Sequence, residues 1–151
     1  YCASALAGDG ACCISKPMRK DVNDMKLHAS GEDYLEAILL LERQKGAVRS
    51  IDIAEWLGVT KPSVSRAVSL LKSGGFISAK DNLLHLTDTG RAVAEKIYER
   101  HCYFKQRLIE VGVDEKTAEK EACLLEHSLS DDSFNKIKNA ADGKRARVTH
   151  K

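Results

Sequence analysis

Cys123, Glu126 and His127 occupy positions i, i+3 and i+4 of the segment Glu121-Ala-Cys123-Leu-Leu-Glu126-His127. On a helix this spacing puts a thiolate, a carboxylate and an imidazole on one face, and such a trio can coordinate a first-row transition ion. The plainer reading is that Cys123 is a small core residue and that Glu126 and His127 lie on a solvated face. Ligand chemistry recurs in two other places. Asp33 and Glu36 share a face at i, i+3, where the alternative is an acidic first turn suited to a helix dipole. His101 lies among Tyr98, Cys102 and Phe104, where the alternative is a partly buried imidazole with an ordinary partner. Spacing alone does not bring these three places together.

A second chemistry is written in the charge. The formal net charge is only +2, so the whole chain does not advertise a polyanionic partner. Its distribution says more. From Trp56 to Lys80 there is no Asp or Glu, whereas Lys61, Arg66, Lys72 and Lys80 are basic. From Asp114 to Asp132 the balance reverses, with Glu115, Glu119, Glu121, Glu126 and Asp131 against Lys116 and Lys120. A chain of this kind meets phosphate at one place and a cation at another.

The acid-free stretch has the parts of a winged helix-turn-helix between Ser50 and Thr87. A helix with Ile53, Ala54 and Leu57 inward follows Ser50, which can cap it. Ala54 is small enough for a close helix contact, and Gly58 accepts the positive φ of the turn. Thr60 caps the next helix, with Pro62 in its first turn, and Val64, Ala67, Val68 and Leu71 repeat at helical spacing until Gly74-Gly75. Two extended pieces, 76–79 and 83–87, are joined through Lys80-Asp81-Asn82, residues that tolerate a tight hairpin. The N-terminal end of a recognition helix reaches base edges. The residues placed for DNA are therefore Thr60, Lys61, Pro62, Ser63, Ser65 and Arg66, with Lys80 on the wing. Arg66 suits a guanine edge, and Ser63 and Lys61 suit phosphates. A helical hairpin used for protein contact is the alternative.

Helices around this unit must position the ligand types. Ser30 is expected to cap a helix running to about Gln44 and closed by Gly46. Thr87 or Asp88 begins a long helix through about Glu110, broken by Gly112. A fifth helix is expected from near Asp114 to about Leu129, and a short sixth from the Ser130 cap to about Ala140. The expected fold is mainly α with a small β-hairpin wing. Its parts are a disordered tail at 1–27, a winged helix-turn-helix domain at 28–90, a helical metal-binding and dimerisation domain at 91–140, and a disordered basic tail at 141–151. Met18 and Met25 are alternative natural starts.

Composition narrows the function classes. Apolar residues make up 43% and charged residues 30%, which is ordinary for a globular protein. No apolar run approaches the roughly 18 residues that span a bilayer, and no signal peptide is read at the start. A cytoplasmic protein is expected. Five cysteines, three of them within Cys2, Cys12 and Cys13, make a poor disulfide framework. Tail cysteines binding metal is one reading of those three. A metalloenzyme needs an open coordination position and a substrate-shaping motif; none is found, and no enzyme is expected. A winged-helix regulator sensing a small ligand or thiol oxidation through Cys102 and Cys123 is the alternative to a metal sensor.

Several blocks together resemble the DtxR/MntR family of metal-dependent repressors. They are Glu-Asp-Tyr-Leu-Glu at 32–36, Asp-Ile-Ala-Glu at 52–55, Pro-Ser-Val-Ser at 62–65, Leu-Thr-Asp-Thr-Gly at 86–90, Glu-Arg-His at 99–101 and Glu-Ala-Cys-Leu-Leu-Glu-His at 121–127. The resemblance runs from about Ser30 to Asn139 and is to the short, two-domain members. It implies a homodimer on a palindromic DNA operator. It also implies the ligand set Asp33, Glu36, His101, Cys123, Glu126 and His127, and a repressor of metal-uptake genes activated by Mn(II) or Fe(II). Asp33 is similar to manganese-sensing members and Cys123 to iron-sensing ones. Hard and soft donors therefore coexist, and Zn(II) also fits the set. Lys105 stands where iron-sensing members can supply a carboxylate to an ancillary site, which argues against a second site of that type.

Overall fold

The computed structural model describes residues 31–148, with side chains as far as residue 143. The tail at 1–27 with Cys2, Cys12 and Cys13, the Ser30 cap and the last three residues lie outside the described part. It contains six helices and one antiparallel strand pair. No helix among the described residues is long and apolar enough to cross a membrane.

α1 (Gly31–Lys45) forms where Leu35, Ile38 and Leu39 recur at helical spacing, and it buries them together with Tyr34 and Leu41. Gly46 closes it with φ +74° and an N–H donated to the Glu42 carbonyl. α2 (Ser50–Leu57) follows. Arg49, not Ser50, holds its cap position, and Ser50 is the first helical residue. The reason lies in Asp52, whose carboxylate accepts the Arg49 backbone N–H at 2.8 Å and Lys45 Nζ at 2.8 Å. An acid inside the first turn thus meets the orphan donor from below.

Gly58, left-handed at φ +65°, turns the chain into α3 (Lys61–Ser73). Thr60 Oγ1 accepts the Ser63 N–H at 3.4 Å, and Pro62 sits in the first turn as expected. Val64 and Leu71 are buried, and Ala67 and Val68 pack beside them. β1 (Ile77–Lys80) pairs with β2 (Leu83–Leu86) in the register Ile77 to Leu86 and Lys80 to Leu83. Asp81 and Asn82 both take positive φ, the two-residue turn whose twist matches a hairpin. Val48, between the first two helices, adds a bridge: Leu84 donates its N–H to the Val48 carbonyl at 2.8 Å. Alternation within a single bridging residue has no period to detect.

α4 (Asp88–Glu110) starts at Thr87, whose Oγ1 accepts the Gly90 N–H. Its first turns bring Val93, Ala94 and Tyr98 onto the core built by α1, α2, α3 and the hairpin. Glu42 ties this unit together, accepting the Leu86 N–H and pairing with Arg91 at 2.8 Å. The chain divides into a first unit ending at Glu99 and a second beginning at Arg100. The apolar face of the first turns of α4 packs on the first core, and its later turns belong to the second unit.

The second unit contains the rest of α4, α5 (Glu115–Leu125) and α6 (Asp131–Val148). Asp114 caps α5 through the Thr117 N–H, and Ser130 caps α6 through the Ser133 N–H. Phe104, Ala122 and Phe134 form its core, with Tyr103 edge-on to both phenylalanine rings. Two expectations are corrected here. α5 ends at Leu125, not near Leu129, and α6 continues to Val148 instead of stopping near Ala140. Gly143 costs a helix only about 1 kcal/mol relative to Ala, and the Ala, Lys and Arg residues around it are strong helix formers. The expected disordered tail at 141–151 is therefore helical as far as Val148.

Gly90 has a steric duty. A Cβ there would lie 1.9 Å from the Phe76 carbonyl oxygen, which already accepts the Thr87 N–H and hydroxyl. Gly90→Ala is expected to destabilise the fold by about 1–3 kcal/mol through overpacking. Thermal unfolding checks this, and an unchanged Tm would mean that the crossing relaxes without cost.

Candidate metal centre and DNA interface

The first unit presents its basic residues as a surface. Thr60, Lys61, Pro62, Ser63, Ser65 and Arg66 at the start of α3 are all exposed, as is Lys80 at the end of β1. Their opposite face is fixed by the burial of Val64 and Leu71, so the helix has no freedom to rotate them inward. The Thr60 and Ser63 hydroxyls lie 2.9 Å apart, which pre-positions the end of the helix that bears Lys61. Leu70 is 68% exposed on the same helix. The sequence reading passed over it, although Leu70-Leu71 adjacency means that only one of the two can face the core.

The second unit is organised by Arg100, which is buried. Its Nη1 donates to the Glu126 carbonyl at 3.0 Å and to the Leu129 carbonyl at 2.8 Å, and its Nη2 pairs with Asp131. The guanidinium also lies over the Phe134 ring, 5.5 Å from its centroid. These bonds explain the early end of α5. The last carbonyls of a helix need donors from outside its ladder: Arg100 meets that of Glu126, and the Ser128 hydroxyl meets that of Leu124. Ser128 then tightens the turn by donating to the Leu125 carbonyl. Glu126 keeps helical backbone angles as the cap residue, with its N–H on the Ala122 carbonyl. Cys123 is thus on α5, whereas Glu126 and His127 stand in the turn beyond it.

Glu126 has no exposed surface. Its Oε2 lies 2.7 Å from His101 Nδ1, and its Oε1 lies 3.0 Å from His127 Nε2 in an orientation that makes no hydrogen bond. A buried carboxylate whose two oxygens face imidazole nitrogens is a donor set matched to a divalent cation. An ionised carboxylate only accepts. The 2.7 Å between Nδ1 and Oε2 is therefore a hydrogen bond with its hydrogen on the imidazole, and the same two atoms are close enough to bind one cation side by side. The residues present fit the metal that the sequence reading implied.

On the far side of the imidazole, His101 Nε2 lies 3.1 Å from Glu119 Oε1, and Lys105 Nζ lies 2.7 Å from Glu119 Oε2. Burial alone would push Glu119 up, but the His101 hydrogen bond and the positive charges of His101 and Lys105 outweigh it and bring its pKa down to about 2. Glu119 was missed as a site residue. The signal was the pairing of His101 and Lys105, one turn apart on one helix, with the acidic spacing Glu115 and Glu119 on the next.

The expected ligands fall into two groups. His101, Glu126 and His127 meet in the second unit, with Cys123 half-buried one turn before Glu126. Asp33 and Glu36 belong to the first unit, one turn apart at the start of α1; Asp33 is buried and Glu36 partly so. Burial, and after it the charge of Asp33, pushes the neighbouring Tyr34 hydroxyl up.

Comparison with known proteins agrees with both halves. The N-terminal DNA-binding domain of iron-dependent repressors matches residues 26–83, and their metal-binding and dimerisation domain matches residues 87–143. An HTH-type transcriptional regulator of Methanocaldococcus jannaschii is 34% identical over 110 residues, covering 71% of this chain and 88% of its own. The HTH-type transcriptional regulator MntR of Bacillus subtilis is 38% identical over 109 residues, covering 72% of this chain and 77% of its own. Among solved structures, the metal-dependent transcriptional regulator MtsR superposes with a TM-score of 0.70 at 28% identity. That match covers 75% of this chain and 54% of the other. The manganese regulator SloR gives 0.63 at 28% identity, covering 73% and 54%. The chain thus spans about half the length of those two structures.

The depressed Glu119 carboxyl makes a prediction about the metal-free protein. Its folded-state pKa of about 2 lies below its ordinary 4.5, so its stabilising contribution is present above about pH 4.5 and is lost as pH falls toward 2. Glu119→Gln is expected to flatten the acid limb of the stability–pH curve across that window, read by denaturant unfolding. An unaltered slope would show that Glu119 is not held by these partners in solution.

Proposed function

Since this chain belongs to the DtxR/MntR family of metal-dependent transcriptional repressors, we propose that it represses metal-uptake genes by binding a palindromic operator as a homodimer loaded with Mn(II) or Fe(II). The observation that carries this reading is the buried Glu126 carboxylate between two imidazoles, a donor set for a divalent ion in the unit that follows a winged helix.

The proposed ligands are His101, Cys123, Glu126 and His127 from the second unit and Asp33 and Glu36 from the first. Bound there, the ion supplies positive charge and fixed coordination geometry. The chain's own residues do the rest. His101 and Glu126 would present an imidazole nitrogen and a carboxylate oxygen to the ion, and Asp33 and Glu36 would add carboxylates from the helix that carries the core of the DNA-binding unit. Ligands drawn from both units favour the one arrangement in which all of them reach the ion, which is a population shift. Mixed hard and soft donors, Asp33 and Cys123, leave selectivity to their relative contributions.

Homodimer formation is supported by apolar residues left exposed in the second unit, Val111, Leu124, Leu125 and Ile137. Two such subunits place two copies of α3 for successive major grooves, which is the reason for a palindromic site. Thr60, Lys61, Pro62, Ser63, Ser65, Arg66 and Lys80 are the proposed DNA contacts. A cytoplasmic location follows from a DNA target.

Two outcomes test this. In the Glu126→Ala, His127→Ala double variant, Mn(II) and Fe(II) should no longer tighten operator binding, while circular dichroism retains the helical signal. Metal-dependent affinity equal to the wild type would refute the ligand assignment. Arg66→Ala should weaken specific binding by about 1–3 kcal/mol and relax the preference at one base pair; a uniform loss across all sequences would instead mark Arg66 as a phosphate contact.

A further inference from the structure

The contacts leading away from the His101–Glu126 pair end on an ammonium group. Lys105 is buried, 4% exposed, one helical turn beyond His101 on α4. Burying a lysine is unfavourable unless an opposite charge meets it. Here Glu119 Oε2 does so at 2.7 Å, with Glu115 Oε1 at 3.4 Å. The other Glu119 oxygen faces His101 Nε2 at 3.1 Å. A carboxylate held ionised by a lysine accepts and never donates. The hydrogen of that contact therefore belongs to Nε2. Nδ1 lies 2.7 Å from Glu126 Oε2, so without an ion it too carries a hydrogen; an ion beside Glu126 would displace that hydrogen, and not the one on Nε2, to take the Nδ1 lone pair. Lys105, Glu119, His101 and Glu126 thus form one directed series.

We propose that Glu119 and Lys105 are positioning residues for the metal: Glu119 holds the His101 hydrogen on Nε2 so that Nδ1 offers its lone pair beside Glu126, and the Lys105 ammonium is a built-in cation that keeps Glu119 turned toward His101. This inference rests on the reading of His101 and Glu126 as ligands. Without Glu119 the imidazole loses its tautomer and its ring orientation, and outer partners of this kind typically account for about 10- to 100-fold in metal affinity. Without Lys105, the partly buried Glu119 carboxylate loses the cation on its far side and turns outward or competes for the ion itself.

The test uses the full-length chain and Mn(II) alone, with bound ion followed by loss of the free Mn(II) paramagnetic signal. Glu119→Ala should weaken Mn(II) binding about 10- to 100-fold, and Lys105→Met should weaken it in the same direction. The double variant Lys105→Met, Glu119→Gln is neutral, and its amide oxygen still accepts from Nε2–H. It should recover affinity to within about threefold of the wild type, which simple loss of packing would not do. It also serves where Glu119→Ala folds poorly. In the Zn(II)-loaded protein, nitrogen-detected imidazole spectra should show His101 protonated on Nε2 in the wild type and the double variant. Wild-type Mn(II) affinity in Glu119→Ala, or a double variant no better than Lys105→Met, would overturn the proposal. Glu126→Ala separates the two levels. If it abolishes Mn(II) binding while Glu119→Ala does not alter it, the positioning role alone is wrong. If Glu126→Ala binds Mn(II) normally, the ligand assignment falls and the positioning role falls with it.

Discussion

A carboxylate with no solvent exposure sets the terms for the second unit. Transferring an unpaired ionised group into a protein interior is costly enough that proteins pair it, protonate it or give it a metal. Glu126 is surrounded accordingly: imidazole nitrogens meet both of its oxygens, and a guanidinium holds its backbone carbonyl. Everything nearby can be read as serving that group. Arg100 ends α5 so that Glu126 and His127 stand in a turn, and the aromatic cluster of Tyr103, Phe104 and Phe134 packs behind. Glu119 and Lys105 carry the compensation outward, alternating in sign away from the buried charge.

The first unit solves a different problem with comparable economy. Its core is apolar and continuous, from Leu35 on α1 to Ala94 on α4, and a few polar bonds fix its edges. Glu42 reaches the hairpin and the start of α4 at once, and Thr87 anchors the crossing at Phe76. The result is an exposed basic helix face on a rigid support, which is what contact with a regular lattice of phosphates requires.

Much of this was readable from the residues. Gly58, Thr60 and Pro62 announced the turn and the recognition helix because each has a backbone preference that few other positions satisfy. Asp81-Asn82 announced the hairpin for the same reason. The ligand types were visible as types, Asp33, Glu36, His101, Cys123, Glu126 and His127, but periodicity could not say where α5 stopped. That depends on Arg100, twenty-six residues from Glu126 in sequence, and no local rule includes a capping group from so far away. Ser50 misled in the opposite way. It has the right chemistry for a cap, yet Asp52 already served the orphan amide from within the first turn. The role of Glu119 was hidden because a single acid in an acid-rich stretch looks like a solvated face until its partners are known.

Leaving Glu126 and His127 beyond the last turn of α5 has a kinetic side. Residues inside a helix share a ladder of hydrogen bonds, and moving one strains its neighbours. This turn has only the Glu126 and Ser128 bonds of its own and leans on Arg100 for the rest. Loss of the Arg100 contacts to the Glu126 and Leu129 carbonyls would free the turn for the donors to swing apart. Capture and escape of an ion would follow the opening rate of this turn, and the amides of Glu126 and Ser128 would exchange with solvent together. Arg100 is in this sense the clasp on the site's residence time, a property distinct from how tightly the ion is held.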